Sequence, residues 1–121
     1  MDKEVLSRLK NAGLLSEQVP DMGFVSTGSY ALNKVISGDY NKGIPIGMIT
    51  QFHGEASTAK TVFATHILKE AQKRGHYTML VDSENAYNSE FAQNLGIDPE
   101  KLIYAAPETL EDCFQVIEDA I

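Results

Sequence analysis

The chain has 121 residues, 43% of them hydrophobic and 22% charged, proportions that fit a soluble domain with one core and exclude a disordered tail, a fibre or a coiled coil. Its 10 Lys+Arg stand against 17 Asp+Glu, a formal charge of −7, which argues against this chain holding nucleic acid by its own surface, because phosphates need cations to neutralise them. No apolar run of bilayer length occurs, the polar start Met1-Asp2-Lys3-Glu4 is unlike a secretory signal, and the single Cys113 has no internal disulfide partner, so a reducing cytoplasm is the expected setting.

Residues 2–15 read as a short amphipathic helix: Val5, Leu6, Leu9 and Ala12 recur at helical spacing, Lys3, Arg8 and Lys10 lie off that stripe, and Gly13 is the expected stop. Residues 16–23, with Pro20 among polar neighbours, read as a linker. A second helical pattern follows Ser29, its expected N-cap, with Leu32, Val35 and Ile36 on one face and Gly38 at its end. Residues 38–47 are a turn-rich loop punctuated by Gly38, Gly43, Pro45 and Gly47.

From Met48 the pattern alternates. Residues 48–53 form a short β-type run. Residues 61–74 read as a helix with Phe63, Ile67, Leu68 and Ala71 at helical spacing, closed by Gly75 after Lys73 and Arg74. Residues 77–81 are a nearly continuous apolar strand ending in Asp82, with Tyr77 and Met79 as strand-core residues. Residues 89–95 form a short helix before Gly96, and residues 102–105 another strand. Thr109 is the expected N-cap of a last helix, with Glu111 and Asp112 in its first turn and Phe114, Ile117 and Ile121 as its apolar stripe. Strand alternating with helix implies an α/β fold with a mainly parallel sheet covered by helices.

The sharpest motif is Gly54-Glu55-Ala56-Ser57-Thr58-Ala59-Lys60-Thr61, where a strand gives way to a helix. It matches the phosphate-loop pattern, Gly, four residues, then Gly-Lys-Ser/Thr, except that Ala59 stands for the second glycine. The spacing suits phosphate chemistry. Loop and helix N–H groups converge on phosphate oxygens, the Lys60 ammonium reaches the outer phosphates, and the Thr61 hydroxyl is a suitable Mg²⁺ ligand. On the motif alone, an ordinary βα turn competes with this reading.

Asp82 and Glu84 follow the apolar strand, at the end where parallel sheets place ligands. Asp82 as a metal-side carboxylate, Glu84 as a water-activating one, and both as mere turn caps are the three alternatives. His53, His66 and His76 show no metal-ligand spacing, and His66 reads as a surface or partly packed residue. Cys113 reads as a helix-face core residue, and Glu108, Glu111, Asp112, Glu118 and Asp119 as a solvated face.

Several further stretches join these motifs. Ser26-Thr27-Gly28-Ser29, Gly43-Ile44-Pro45-Ile46-Gly47-Met48-Ile49, Val81-Asp82-Ser83-Glu84-Asn85-Ala86, Phe91-Ala92-Gln93-Asn94-Leu95-Gly96-Ile97-Asp98 and Tyr104–Pro107 keep one order and spacing with the phosphate loop. Over residues 26–121 the chain resembles the ATPase core of the RecA family of recombinases. The resemblance implies a P-loop NTPase three-layer sandwich, ATP and Mg²⁺ as cofactors, filaments on single-stranded DNA, and strand exchange driven by ATP hydrolysis. It places the phosphates on residues 54–61, Mg²⁺ on Thr61, the water-activating glutamate at Glu84, and the adenine against Phe91 and Asn88. It takes the magnesium-side role away from Asp82.

Ala59, Glu55 and Ala56 depart from the family's loop. Phage recombinases of the family (the UvsX-like branch) also lack the second glycine, and Asp98-Pro99-Glu100-Lys101-Leu102-Ile103 is similar to theirs, so the resemblance leans to a phage-encoded protein of the bacterial cytoplasm. The family's magnesium-side acid, DNA loops and final strands would lie after Ile121. The resemblance therefore implies residues 1–23 as an N-terminal helix and linker, residues 24–121 as the front half of a truncated core, DNA contacts through the missing half, and self-association. A non-catalytic module of the same fold, or another RecA-like ATPase such as a helicase, is the alternative.

Overall fold

The computed structural model describes residues 3–12 and 21–121. Helix α1 (Lys3–Asn11) carries an Arg8–Glu4 ion pair at 2.7 Å, one turn apart. The stop at Gly13 and most of the linker at 16–23 fall outside the described residues, as do the side chains of Leu6 and Leu9. Of the expected stripe, Val5 is exposed.

Strand β1 (Phe24–Val25) pairs antiparallel with β2 (Ile44–Pro45), Val25 opposite Ile44. Between them runs α2 (Tyr30–Ser37). Its start and stop are as the sequence predicts. Ser29 Oγ accepts from the Leu32 N–H, and Gly38 ends the helix at φ 78°, where a side chain would be strained.

The buried face of α2 differs from the predicted one. Val35 is 81% exposed, whereas Asn33 is fully buried. Asn33 Oδ1 accepts from the Thr27 N–H at 2.9 Å and from the Thr27 hydroxyl at 2.7 Å, while its Nδ2 donates to Ser26 Oγ and to the Tyr40 carbonyl, both at 2.9 Å. A polar side chain that satisfies all four of these bonds is stable inside, and an apolar one there would leave the Thr27 N–H unpaired. Gly43 closes the knot, since a Cβ there would run into the Val25 carbonyl oxygen and the Thr27 nitrogen.

Helix α3 (Lys60–Lys73) packs on β1 and on β3 (Thr78–Val81), and β3 pairs in parallel with β4 (Leu102–Ala105), Val81 opposite Ala105. Gln72 on α3 is buried. Its Nε2 donates to Thr78 Oγ1 and to the Asp98 carbonyl, both at 3.0 Å, and its Oε1 accepts from the Asp98 N–H at 2.8 Å. Each such bond contributes about 1 kcal/mol, and together they tie helix, strand and loop into one register. Helix α4 (Ser89–Asn94) and a 3₁₀ turn (Pro99–Lys101) bring the chain back to β4, and α5 (Leu110–Ala120) closes over β3. Among the described residues, Val25, Ile67, Ala92, Ile97 and Cys113 form the buried apolar set.

Three expectations need correction. Residues 48–53 join no ladder among the described residues; they face β3 across an open apolar groove of about 300 Å³ between Met48, Phe52, Ala64, Leu68 and Met79. The expected mainly parallel sheet is replaced, among the described residues, by two separate two-stranded sheets, parallel β3–β4 and antiparallel β1–β2. Tyr77 is 75% exposed because β3 begins at Thr78, and on α5 Cys113 faces inward while Phe114 and Ile117, with Ile121 just past the helix, are exposed.

Candidate functional site

The loop 54–59 ends in an unusual helix start. Ala59 is the N-cap of α3 at φ 64°, in the left-handed region, and makes no side-chain cap. A methyl group cannot accept the first N–H groups of the helix, so these donors keep no cap from their own N-cap residue. Ser57 is also left-handed, at φ 61°. Two positive φ values among three residues curl the backbone as a phosphate-type loop must, and a non-glycine residue there is held by its surroundings at an energetic cost.

Lys60, the first helical residue, turns back on the loop. Its Nζ donates to the carbonyls of Glu55 at 2.6 Å and Gly54 at 2.8 Å, and Thr58 Oγ1 donates to the Glu55 carbonyl at 2.7 Å. The loop is thus folded around its own ammonium. A cavity of about 600 Å³ lies between residues 56–62 and Glu84. A second, of about 300 Å³, lies between Lys60, Thr61 and Phe52 on one side and Asp82, Glu84 and Tyr87 on the other. A cation, uncapped helix N–H groups and a hydroxyl around an open cavity are the donor set a phosphate chain fits.

The acidic strand end is built by Asp82. Its N–H donates to the Ala105 carbonyl at 2.9 Å, which extends the β3–β4 ladder by one bond. Its carboxylate then accepts from the chain that follows: Glu84 N–H at 3.1 Å on Oδ1, and Ala86 and Tyr87 N–H, both at 2.8 Å, on Oδ2. Asn85, at φ 51°, makes the bend. Desolvation pushes the Asp82 carboxyl up, but the N–H groups of Tyr87, Glu84 and Ala86 and the Tyr104 hydroxyl outweigh it and hold it below its ordinary value. Asp82 is thus a turn cap, and the exposed Glu84 stands on the turn that Asp82 caps.

The structure brings Lys60, Thr61 and Glu84 to neighbouring cavities; Ala56, Ser57, Thr58 and Ala59 line the larger one. Asn88 and Phe91 line neither. Asn88 Oδ1 caps α4 by accepting from the Phe91 N–H at 2.9 Å, and the Phe91 ring is 48% exposed. Among the described residues, no cluster of three His, Cys, Asp or Glu could hold a metal ion, and no helix is long and apolar enough to cross a membrane. The motifs assign no role to Tyr87 or Tyr104. They stack with ring centroids 4.8 Å apart beside Asp82, and only the strand register, which sets Tyr104 opposite Leu80, places them there.

Comparison with known proteins bears on this arrangement. Residues 8–121 match the family model of the RecA N-terminal domain. The chain is 36% identical over 97 residues to protein RecA of Chlorobium chlorochromatii, covering 80% of this chain and 27% of that protein. It is 32% identical over 114 residues to protein RecA of Ureaplasma parvum, covering 93% and 33%, and 34% identical over 106 residues to that of Brucella suis, covering 88% and 28%. The chain thus spans about a quarter to a third of the length of these curated relatives.

Proposed function

The chain belongs to the RecA family, and from that premise we propose that it is the nucleotide-binding part of a DNA recombinase that assembles on single-stranded DNA and drives strand exchange with ATP hydrolysis. The observation that carries this reading is that Lys60, Thr61 and Glu84 meet at the carboxyl end of β3, where parallel sheets bind ligands. In this reading residues 24–121 are the front half of a P-loop three-layer sandwich, and residues 1–23 an N-terminal element serving assembly. The missing second glycine and the Asp98–Ile103 stretch favour the phage type.

Residues 54–61 would bind the phosphates through backbone N–H groups, and the Lys60 ammonium would leave the Gly54 and Glu55 carbonyls for the outer phosphates. Magnesium bound with ATP would neutralise charge on the phosphates, and the Thr61 hydroxyl would hold it. Glu84, exposed on the capped turn, would orient water and take its proton. Phe91 offers an exposed ring face to the base. Asn88 keeps one lone pair of its Oδ1 for the adenine amino group after capping α4. The net charge of −7 leaves single-stranded DNA to parts of such a recombinase outside these residues.

Titration of a fluorescent ATP analogue with Mg²⁺ tests the reading. Saturable binding that Lys60→Ala weakens about 10- to 100-fold supports it, and no binding by the wild-type chain overturns it. A second reading, a module that binds nucleotide without turnover, is favoured by the left-handed Ala59 and by the Lys60 ammonium held inward by the loop. Release of phosphate from bound ATP separates the two.

A further inference from the structure

The turn 82–87 that carries Glu84 is gripped from the neighbouring strand by a residue to which the motifs assign no role. The Tyr104 hydroxyl lies 3.4 Å from Asp82 Oδ2 and 3.2 Å from Asn85 Oδ1, and its ring stacks on Tyr87 at 4.8 Å between centroids and 29° between planes. Tyr104 therefore touches the first residue of the turn, its left-handed bend and its last residue. Asp82 Oδ1 in turn accepts from the Glu84 N–H itself. The anchor is rigid, because Tyr104 and Ala105 belong to β4, and the Ala105 carbonyl accepts the Asp82 N–H.

We propose that Tyr104 is a positioning residue for Glu84: from β4 it clamps the 82–87 turn and so sets where the Glu84 carboxylate stands beside the Lys60 cavity. This rests on the reading of Glu84 as the group that acts on water. A backbone held at both ends and at its bend leaves Glu84 few soft dihedrals, and that is the form of support a side chain needs to keep one geometry. Tyr104 does not line the cavities, so its effect passes through Asp82, Asn85 and Tyr87.

The test uses this chain with Tyr104→Phe, which keeps the stacked ring and removes the hydroxyl, and Tyr104→Leu, which removes both. Amide hydrogen exchange is read at Glu84, Ala86 and Tyr87, and the Asp82 carboxyl carbon by NMR. In Tyr104→Phe, exchange at those three amides rises about fivefold, while exchange at Asn33 and Ile67 is unchanged. The Asp82 carboxyl signal shifts and its titration midpoint moves up. Tyr104→Leu enlarges each effect. Exchange within about twofold of wild type at all three amides, or a rise shared equally by Asn33 and Ile67, overturns the proposal. Affinity for a fluorescent ATP analogue stays within about twofold of wild type, because the loop and Lys60 are untouched, and a tenfold loss would overturn the positioning role. A wild-type chain that binds no nucleotide sinks the nucleotide reading, while the exchange result still judges the clamp by itself.

Discussion

Lys60 Nζ donates to the Glu55 carbonyl oxygen at 2.6 Å, so the ammonium the motif assigns to phosphate is occupied by its own loop. In the proposed reading, nucleotide would have to exchange carbonyl partners for phosphate oxygens at this nitrogen. Charged partners make the stronger hydrogen bonds, so the exchange is downhill once phosphate arrives.

Lys60→Ala removes that charge from a half-buried position without opening the core. Affinity for a fluorescent ATP analogue with Mg²⁺ falls about 10- to 100-fold, the range for losing a charge-assisted bond. The urea midpoint stays close to wild type.

Ala59→Gly relieves a left-handed alanine at φ 64°. The strain is about 1–2 kcal/mol, and the added freedom of glycine in the unfolded chain offsets part of it. A net gain of about 0.5–1 kcal/mol in urea unfolding is expected, with nucleotide affinity equal or higher. A loss of stability would show that the methyl group makes packing contacts worth more than the strain.

Asn33→Leu keeps the size of the side chain and removes its four hydrogen bonds. The Thr27 N–H, in a residue 1% exposed, loses its acceptor, the Thr27 hydroxyl falls back on the Ser29 carbonyl at 3.2 Å, and the Tyr40 carbonyl loses a donor. Buried groups left unpaired cost about 1–3 kcal/mol each, so the destabilisation is about 3 kcal/mol or more, read from the shift in urea midpoint. The sequence pattern alone sets position 33 off the apolar stripe of α2, where the same substitution would be close to neutral.

Asp82 supplies a pH signature. Its carboxyl lies below its ordinary value in the folded chain, so the folded state favours the ionised form. The stabilising share is fully present above the unfolded value of about 3.9 and is lost as pH falls through the lower folded value. The stability gap between wild type and Asp82→Asn is therefore constant near neutrality and closes below about pH 4. Tyr104 runs the opposite way. Desolvation, the Asp82 charge and hydrogen bond, and Tyr87 raise its phenol, so its share is present below about pH 10 and lost as pH rises through the folded value.

Local chemistry made much of the chain legible. Ser29, Thr109 and Gly38 are caps by residue type, and each caps where the sequence places it. The helix after the phosphate loop and the strands at 78–81 and 102–105 follow from periodicity over windows long enough to show it. The two-residue strands β1 and β2 are too short to carry a period, so the loop at 38–47 hid one of them. Apolar spacing misjudged α2 because hydrophobicity ranks a buried asparagine as a surface residue until its four partners are known.

The sequence by itself determined the family and singled out residues 54–61 and Glu84 as the candidate site, because both depend on residue types at fixed spacing along the chain. Only the tertiary structure decided what surrounds them. It turned Lys60 onto the Glu55 carbonyl, made Asp82 a turn cap, and brought Tyr104 to the turn that bears Glu84. Those relationships join residues far apart in the chain or depend on backbone angles, and a hydrogen bond's partner is chosen by distance and direction in space, which no linear pattern encodes.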